Sequence, residues 1–275
     1  MDAIVFLLPP LAMCLVIASI HVYLGMHVLE REIIFVDLSL AQLAALGATV
    51  ASLIVPEDAF WQTYAFALAF TFVGATIFAF TRRARKHVSQ EAIVGIVFAV
   101  ASAVTVLLLS RSPHGAEHIK DTLVRDLLAT SWEQVAEVAA AYVVIGAVEL
   151  ALARRFIRIS WEPDAAESLI SRIELWDLGF YLIFGVVITI SVQVAGILLV
   201  FSYLIVPAAI TRLFSRRIGR RLVLGWGIAL LASVMGAAAS LVWDLPTGAA
   251  IVAAFGVLLL LAGIARATVL SRVTA

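Results

Sequence analysis

Cysteine is nearly missing from this sequence. Cys14 stands alone inside an apolar run, so neither a disulfide framework nor a CxxC metal cluster can be drawn from it. Lysine is almost as scarce: Lys86 and Lys120 follow Arg85 and Ile119, so no GxxxxGK(S/T) phosphate loop exists and any ATP use belongs to another chain. Net charge is zero, which gives no basic excess for a nucleic acid to meet. Only 14% of residues are charged, while 63% are hydrophobic and the mean hydropathy is +1.08. A soluble globular domain is excluded by those values. The first apolar run, residues 4–24, has only Asp2 before it rather than a basic segment, and it reads as a retained span rather than a cleaved signal.

What is present is a series of apolar runs, each near the about 20 residues that carry a helix across a bilayer. Spans are predicted near 4–24, 33–55, 60–80, 90–110, 133–154, 176–193, 196–211, 221–243 and 246–266. The fold expected is an all-α, polytopic membrane bundle of eight to nine helices, with residues 1–275 forming one domain. The doubtful join is Trp176 to Pro207. As one straight helix it would measure about 48 Å, well past a hydrocarbon core of about 30 Å. A break near Gln193–Gly196 resolves it, and the cations test the choice, because short cytoplasmic loops concentrate Lys and Arg. With nine spans, an external N-terminus and a cytoplasmic C-terminus, sixteen of the 19 fall inside, the other three being Arg111, Lys120 and Arg125. A single span there would invert everything before it and erase the bias.

"FVDLSLAQLAALG" places Asp37 in an otherwise apolar stretch. A charge at a span centre costs roughly 2.5–3.5 kcal/mol on insertion scales, so it usually faces the bundle interior or an aqueous path. The alternative is that Asp37, four residues past Ile33, snorkels or pairs with an arginine. Glu149 and Asp177 lie close to predicted helix ends and read as interfacial. Upstream, "IHVYLGMHVLERE" brings His21 and His27 toward the same helix entry. Imidazole with carboxylate suits zinc and its first-row neighbours, although the six-residue spacing makes no i, i+4 pair and an ordinary interfacial role is the simpler reading for each. In the long external loop, His114, Glu117 and His118 spell HxxEH. That pattern would serve a zinc peptidase only on a buried helix, and in a short loop after Pro113 it suits weak metal capture or a solvated turn. Asp244 lies before Pro246 as a helix cap or part of a vestibule. "PAAITRLFSRRIGRR" is a basic segment that either fixes topology or docks a partner.

Taken together, "YLGMHVLEREIIFVDLSLAQLAALG", "QEAIVGIVFAVASAV", "GILLVFSYLIVPAAITRLFSRR" and "DLPTGAAIVAAFGVLLLLAGI" resemble the membrane permeases of zinc/manganese/iron-type ABC importers over nearly the whole chain. The resemblance implies a type II importer-like fold in a bacterial-type inner membrane. It further implies a homodimer with its path on the two-fold axis, an ABC ATP-binding subunit on the cytoplasmic face, and an external solute-binding protein that delivers the metal. No tightly bound cofactor is implied beyond the transported ion, and no covalent chemistry by the chain itself. Coupling to the ATPase falls on Pro207, Ala208, Ala209, Thr211 and Arg212. Members of that family carry Asp and then His four residues later on helix two; here Asp37 matches the first, but Ala41 stands at the second, with Gln42 beside it. An amide is a poor substitute for imidazole toward zinc, so His21 or His27 is the candidate source of the missing nitrogen. The functional expectation is import of a divalent transition metal. An ion-coupled secondary transporter and an ABC permease for a chelated metal or organic cofactor are the alternatives.

Overall fold

The computed structural model describes residues 2–56, 59–81, 88–110 and 127–273. Its helices are α1 (Asp2–Glu30), α2 (Val36–Ile54), α3 (Phe60–Phe80), α4 (Gln90–Leu109), α5 (Trp132–Trp161), α6 (Pro163–Leu169), α7 (Ile173–Ala195), α8 (Ile197–Phe214), α9 (Ile218–Trp243) and α10 (Thr247–Val273), with a 3-10 turn at Leu127–Ala129. Among the described residues nine of these helices are long and apolar enough to cross a membrane. The break predicted near Gln193–Gly196 is present. Gly196 stands between α7 and α8 with φ 77° and ψ 160°, a conformation essentially reserved for glycine.

Three helix ends run past expectation, one of them that of α10, which reaches Val273 rather than residue 266. α1 does not stop before Gly25 but runs on to Glu30, which puts His27 within the first helix rather than at the entry of the second. The glycine marks a crossing instead of an end: a Cβ at Gly25 would overlap the Leu204 carbonyl oxygen of α8. In a bilayer, where apolar side chains gain little by leaving lipid, small residues that let backbones approach are a principal source of helix association. α5 runs on to Trp161, seven residues past its predicted end, and the short α6 that follows was not predicted.

The chain divides into two compact units, each assembled from distant parts of the sequence. The first comprises Met1–Leu29, Val124–Val143 and Val194–Ala275. Within it α8, α9 and α10 pack on one another. A Cβ at Gly225 would strike Val22 and one at Gly236 would strike Ile251, while Trp226 Nε1 donates to the Ser19 carbonyl at 3.1 Å. The second unit comprises Glu30–Leu123 and Val144–Gln193. There α2 packs on α3 and α4, with Gly47 against the Phe66 backbone and Gly74 against Leu43. Polar pairs lock this unit further. Gln90 Nε2 donates to the Phe78 carbonyl at 3.1 Å and to Tyr181 Oη at 2.8 Å, and the hydroxyls of Thr71 and Thr189 meet at 3.2 Å. On α5, Val143, Val144 and Leu150 are exposed, as lipid-facing positions must be, while Glu149 between them turns inward.

Candidate functional site

The second unit begins with a tight turn from Arg31 to Phe35, in which Glu32 takes a positive φ of 58°. Phe35 precedes α2 and supplies no side-chain cap. Its backbone N–H is met instead from across the unit by Glu91, whose Oε1 accepts at 3.3 Å from the first turn of α4. Glu91 is placed there because Ser89 caps α4, its hydroxyl accepting from Ala92 N–H at 3.2 Å. Asp37 follows in the first turn of α2, 2% exposed. Its carboxylate stands near the backbone N–H groups of Asp37 and Leu38, and Glu91 is its charged neighbour. The first turn of a helix favours negative charge. Burial opposes it. Asp37 Oδ1 and Glu91 Oε2 are buried with no hydrogen-bond partner among the described residues. Two neighbouring carboxylates with no ion pair among the described residues form a place where a mobile cation would be stabilised.

Arg31 is buried and donates from Nη1 to Asp177 Oδ1 at 2.8 Å and from Nε to Ser160 Oγ at 2.8 Å, with its guanidinium 4.0 Å above the Phe180 ring. Asp177, close to the start of α7, is therefore a buried partner in an ion pair. Glu149 departs from expectation. The extension of α5 leaves it in the helix interior, 2% exposed, near Arg31, with both carboxylate oxygens unpartnered among the described residues.

The remaining candidates fall as follows. Ala41 is buried one turn beyond Asp37, and Gln42 is half-buried beside it. His21 and His27 belong to the first unit and are fully buried. Nδ1 of His21 donates to the Ile17 carbonyl at 2.8 Å, and the ring of His27 lies edge-on to Tyr23 with centroids 4.7 Å apart. Among the described residues no three of His, Cys, Asp and Glu converge as a metal-binding group. Pro207, Ala208, Ala209, Thr211 and Arg212 lie within α8; Pro207, Ala208 and Thr211 are buried, while Arg212 Nη1 donates to the Leu29 carbonyl at 3.3 Å. The exposed part of that segment is its end, Arg212, Leu213 and Phe214, with Arg216 and Arg217 in the turn to α9. His114, Glu117 and His118 lie outside the described residues. Asp244 ends α9 in a left-handed conformation, φ 51° and ψ 48°, so its cap belongs to that helix rather than to α10. Glu91 was missed from the sequence. Its signal was present as an acidic residue in the first turn of an apolar span directly after a capping serine, but its neighbour Asp37 lies on another helix.

Nine helices long and apolar enough to cross a membrane, among the described residues, define a polytopic membrane protein in class. The model of the ABC 3 transport family matches residues 3–266, and the chain belongs to that family. It is 27% identical over 187 residues to the manganese transport system membrane protein MntB of Synechocystis, covering 67% of this chain and 60% of that protein. It is 24% identical over 168 residues to the manganese transport system membrane protein MntC of Listeria monocytogenes, covering 61% and 60%. The matched part thus spans about three-fifths of these relatives' length. The chelated iron transport system membrane protein YfeC of Yersinia pestis is 25% identical over 197 residues, covering 68% and 66%. In fold the chain is similar to PsaBC from Streptococcus pneumoniae solved in complex with Fab, with a TM-score of 0.76 at 16% identity over 94% of this chain and 90% of that one. An inward-facing metal-chelate type ABC transporter gives 0.68 at 15% identity, over 94% and 85%.

Proposed function

We propose that the chain is the membrane permease of an ATP-driven importer for a divalent transition metal, manganese or iron before zinc, in a bacterial-type inner membrane with the N-terminus outside. Two copies form the path, an ABC ATP-binding subunit hydrolyses ATP, and an external binding protein delivers the ion. The observation that carries this reading is Asp37, a buried carboxylate that has one oxygen without a hydrogen-bond partner among the described residues and another carboxylate, Glu91, as a charged neighbour. A cation stripped of water loses hydration that only closely placed oxygens can replace, and two carboxylates meet that need for a hard or borderline ion. The lack of imidazole at Ala41, with manganese and chelated-iron transport named for its relatives, supports a harder ion than zinc. Import then follows from a site whose affinity differs between two conformations, which is what ATP binding must supply. The basic segment from Pro207 onward is the proposed contact for the ATPase. Its buried residues set the helix, and the exposed turn with Arg216 and Arg217 touches the partner.

The test is reconstitution with the ATPase in vesicles, following metal uptake and metal-stimulated hydrolysis. Asp37→Asn is expected to abolish both while the complex still assembles. Unchanged coupling would remove Asp37 from the path. Uptake by the permease alone, driven by an ion gradient, would instead establish secondary transport.

A further inference from the structure

Away from the carboxylate site, the second unit holds a cavity of about 490 Å³ between the end of α5 and the start of α7. Its walls carry Arg154, Arg155 and Arg158, the hydroxyl-bearing Ser171 and the indole of Trp176, with Leu169 and Ile170 at the side. Among the described residues no carboxylate lines it and none of the three arginines has an ion pair. Arg154 and Arg158 are four apart on a continuous helix and therefore share a face. Arg155 is set beside them by stacking, its guanidinium 4.2 Å from the centre of the Trp176 ring. Stacking occupies the face of the guanidinium and leaves its edge N–H groups to donate.

Three guanidiniums around one space repel each other until an anion enters. Their planar donor forks match tetrahedral oxyanions, phosphate above all. The surroundings decide the source. Leu169 in the cavity wall is 69% exposed and Leu175, next to Trp176 in the chain, is 51% exposed, and Trp161 and Trp176 lie near span ends, where aromatic side chains gather at the membrane interface. Basic pockets between helices at that depth take lipid head groups. We propose that the cavity binds the phosphate of an anionic phospholipid, with an acyl chain running over Leu169 and Leu175.

The experiment uses the full chain, stripped of lipid in neutral detergent, with its unfolding midpoint and retained lipid read by thermal shift and native mass spectrometry. Three additions are compared: phosphatidylcholine, phosphatidylcholine mixed with phosphatidylglycerol, and inorganic phosphate without lipid. Phosphatidylglycerol is expected to raise the midpoint and remain bound, with affinity falling about fivefold for each arginine replaced by glutamine. Arg158→Lys, which keeps the charge, is expected to lose less than Arg158→Gln. Should the triple Arg154→Gln, Arg155→Gln, Arg158→Gln variant not fold, the single variants carry the comparison. Equal effects of the two lipid mixtures, or unchanged phosphatidylglycerol binding in the glutamine variants, would overturn the site. An equal shift from inorganic phosphate alone would overturn the lipid as its source.

Discussion

Arg31 and Asp177, 146 positions apart in the chain, meet at 2.8 Å between Nη1 and Oδ1 with each side chain 4% exposed. Both belong to the second unit, and the contact makes Asp177 a paired structural charge, whereas Asp37 Oδ1 has no hydrogen-bond partner among the described residues.

Breaking that pair should be costly. Removing one partner of a buried ion pair strands the other, at about 3–5 kcal/mol. Asp177→Asn is expected to fall in that range, and Arg31→Leu to lose more, because it also leaves the nearby Glu149 without a cation. Thermal unfolding in detergent checks the order; a milder loss for Arg31→Leu would contradict it.

Ala41 offers a gain-of-function test at the proposed metal site. A histidine there would lie one turn from Asp37 on the same face and should shift competition in uptake assays toward zinc. Since Ala41 is 2% exposed, the larger ring should also destabilise the protein by about 1–3 kcal/mol. Unaltered ion preference in a folded Ala41→His protein would show that position 41 does not face the ion.

Gly25 and Gly146 form a matched pair. Gly25→Ala must drive α1 away from the Leu204 backbone and should destabilise by about 1–3 kcal/mol. A Cβ at Gly146 meets nothing within 4 Å, so Gly146→Ala should be neutral or gain up to about 1 kcal/mol of helix propensity. Similar effects at the two sites would refute the close crossing.

The break between α7 and α8 can be tested at Gly196. Its φ of 77° and ψ of 160° strain any residue with a side chain, so Gly196→Ala should cost about 1–3 kcal/mol. Limited proteolysis and thermal shift would detect the loosened junction.

Length, hydropathy and the placement of arginines determined the number of spans and even the break at Gly196, because bilayer thickness and charge asymmetry act on each segment separately. Asp37 was legible for the same reason: one charge in an apolar run is locally anomalous. Which charge meets which was decided only by tertiary packing. Glu91 reaches the head of α2 from 56 residues beyond Phe35, and Arg31 meets Asp177 from 146 residues away through helices that no local pattern orders. Gly25 likewise reads as a helix end in one dimension and as a crossing in three. Pairing energies depend on distance and burial, and neither exists until the helices pack.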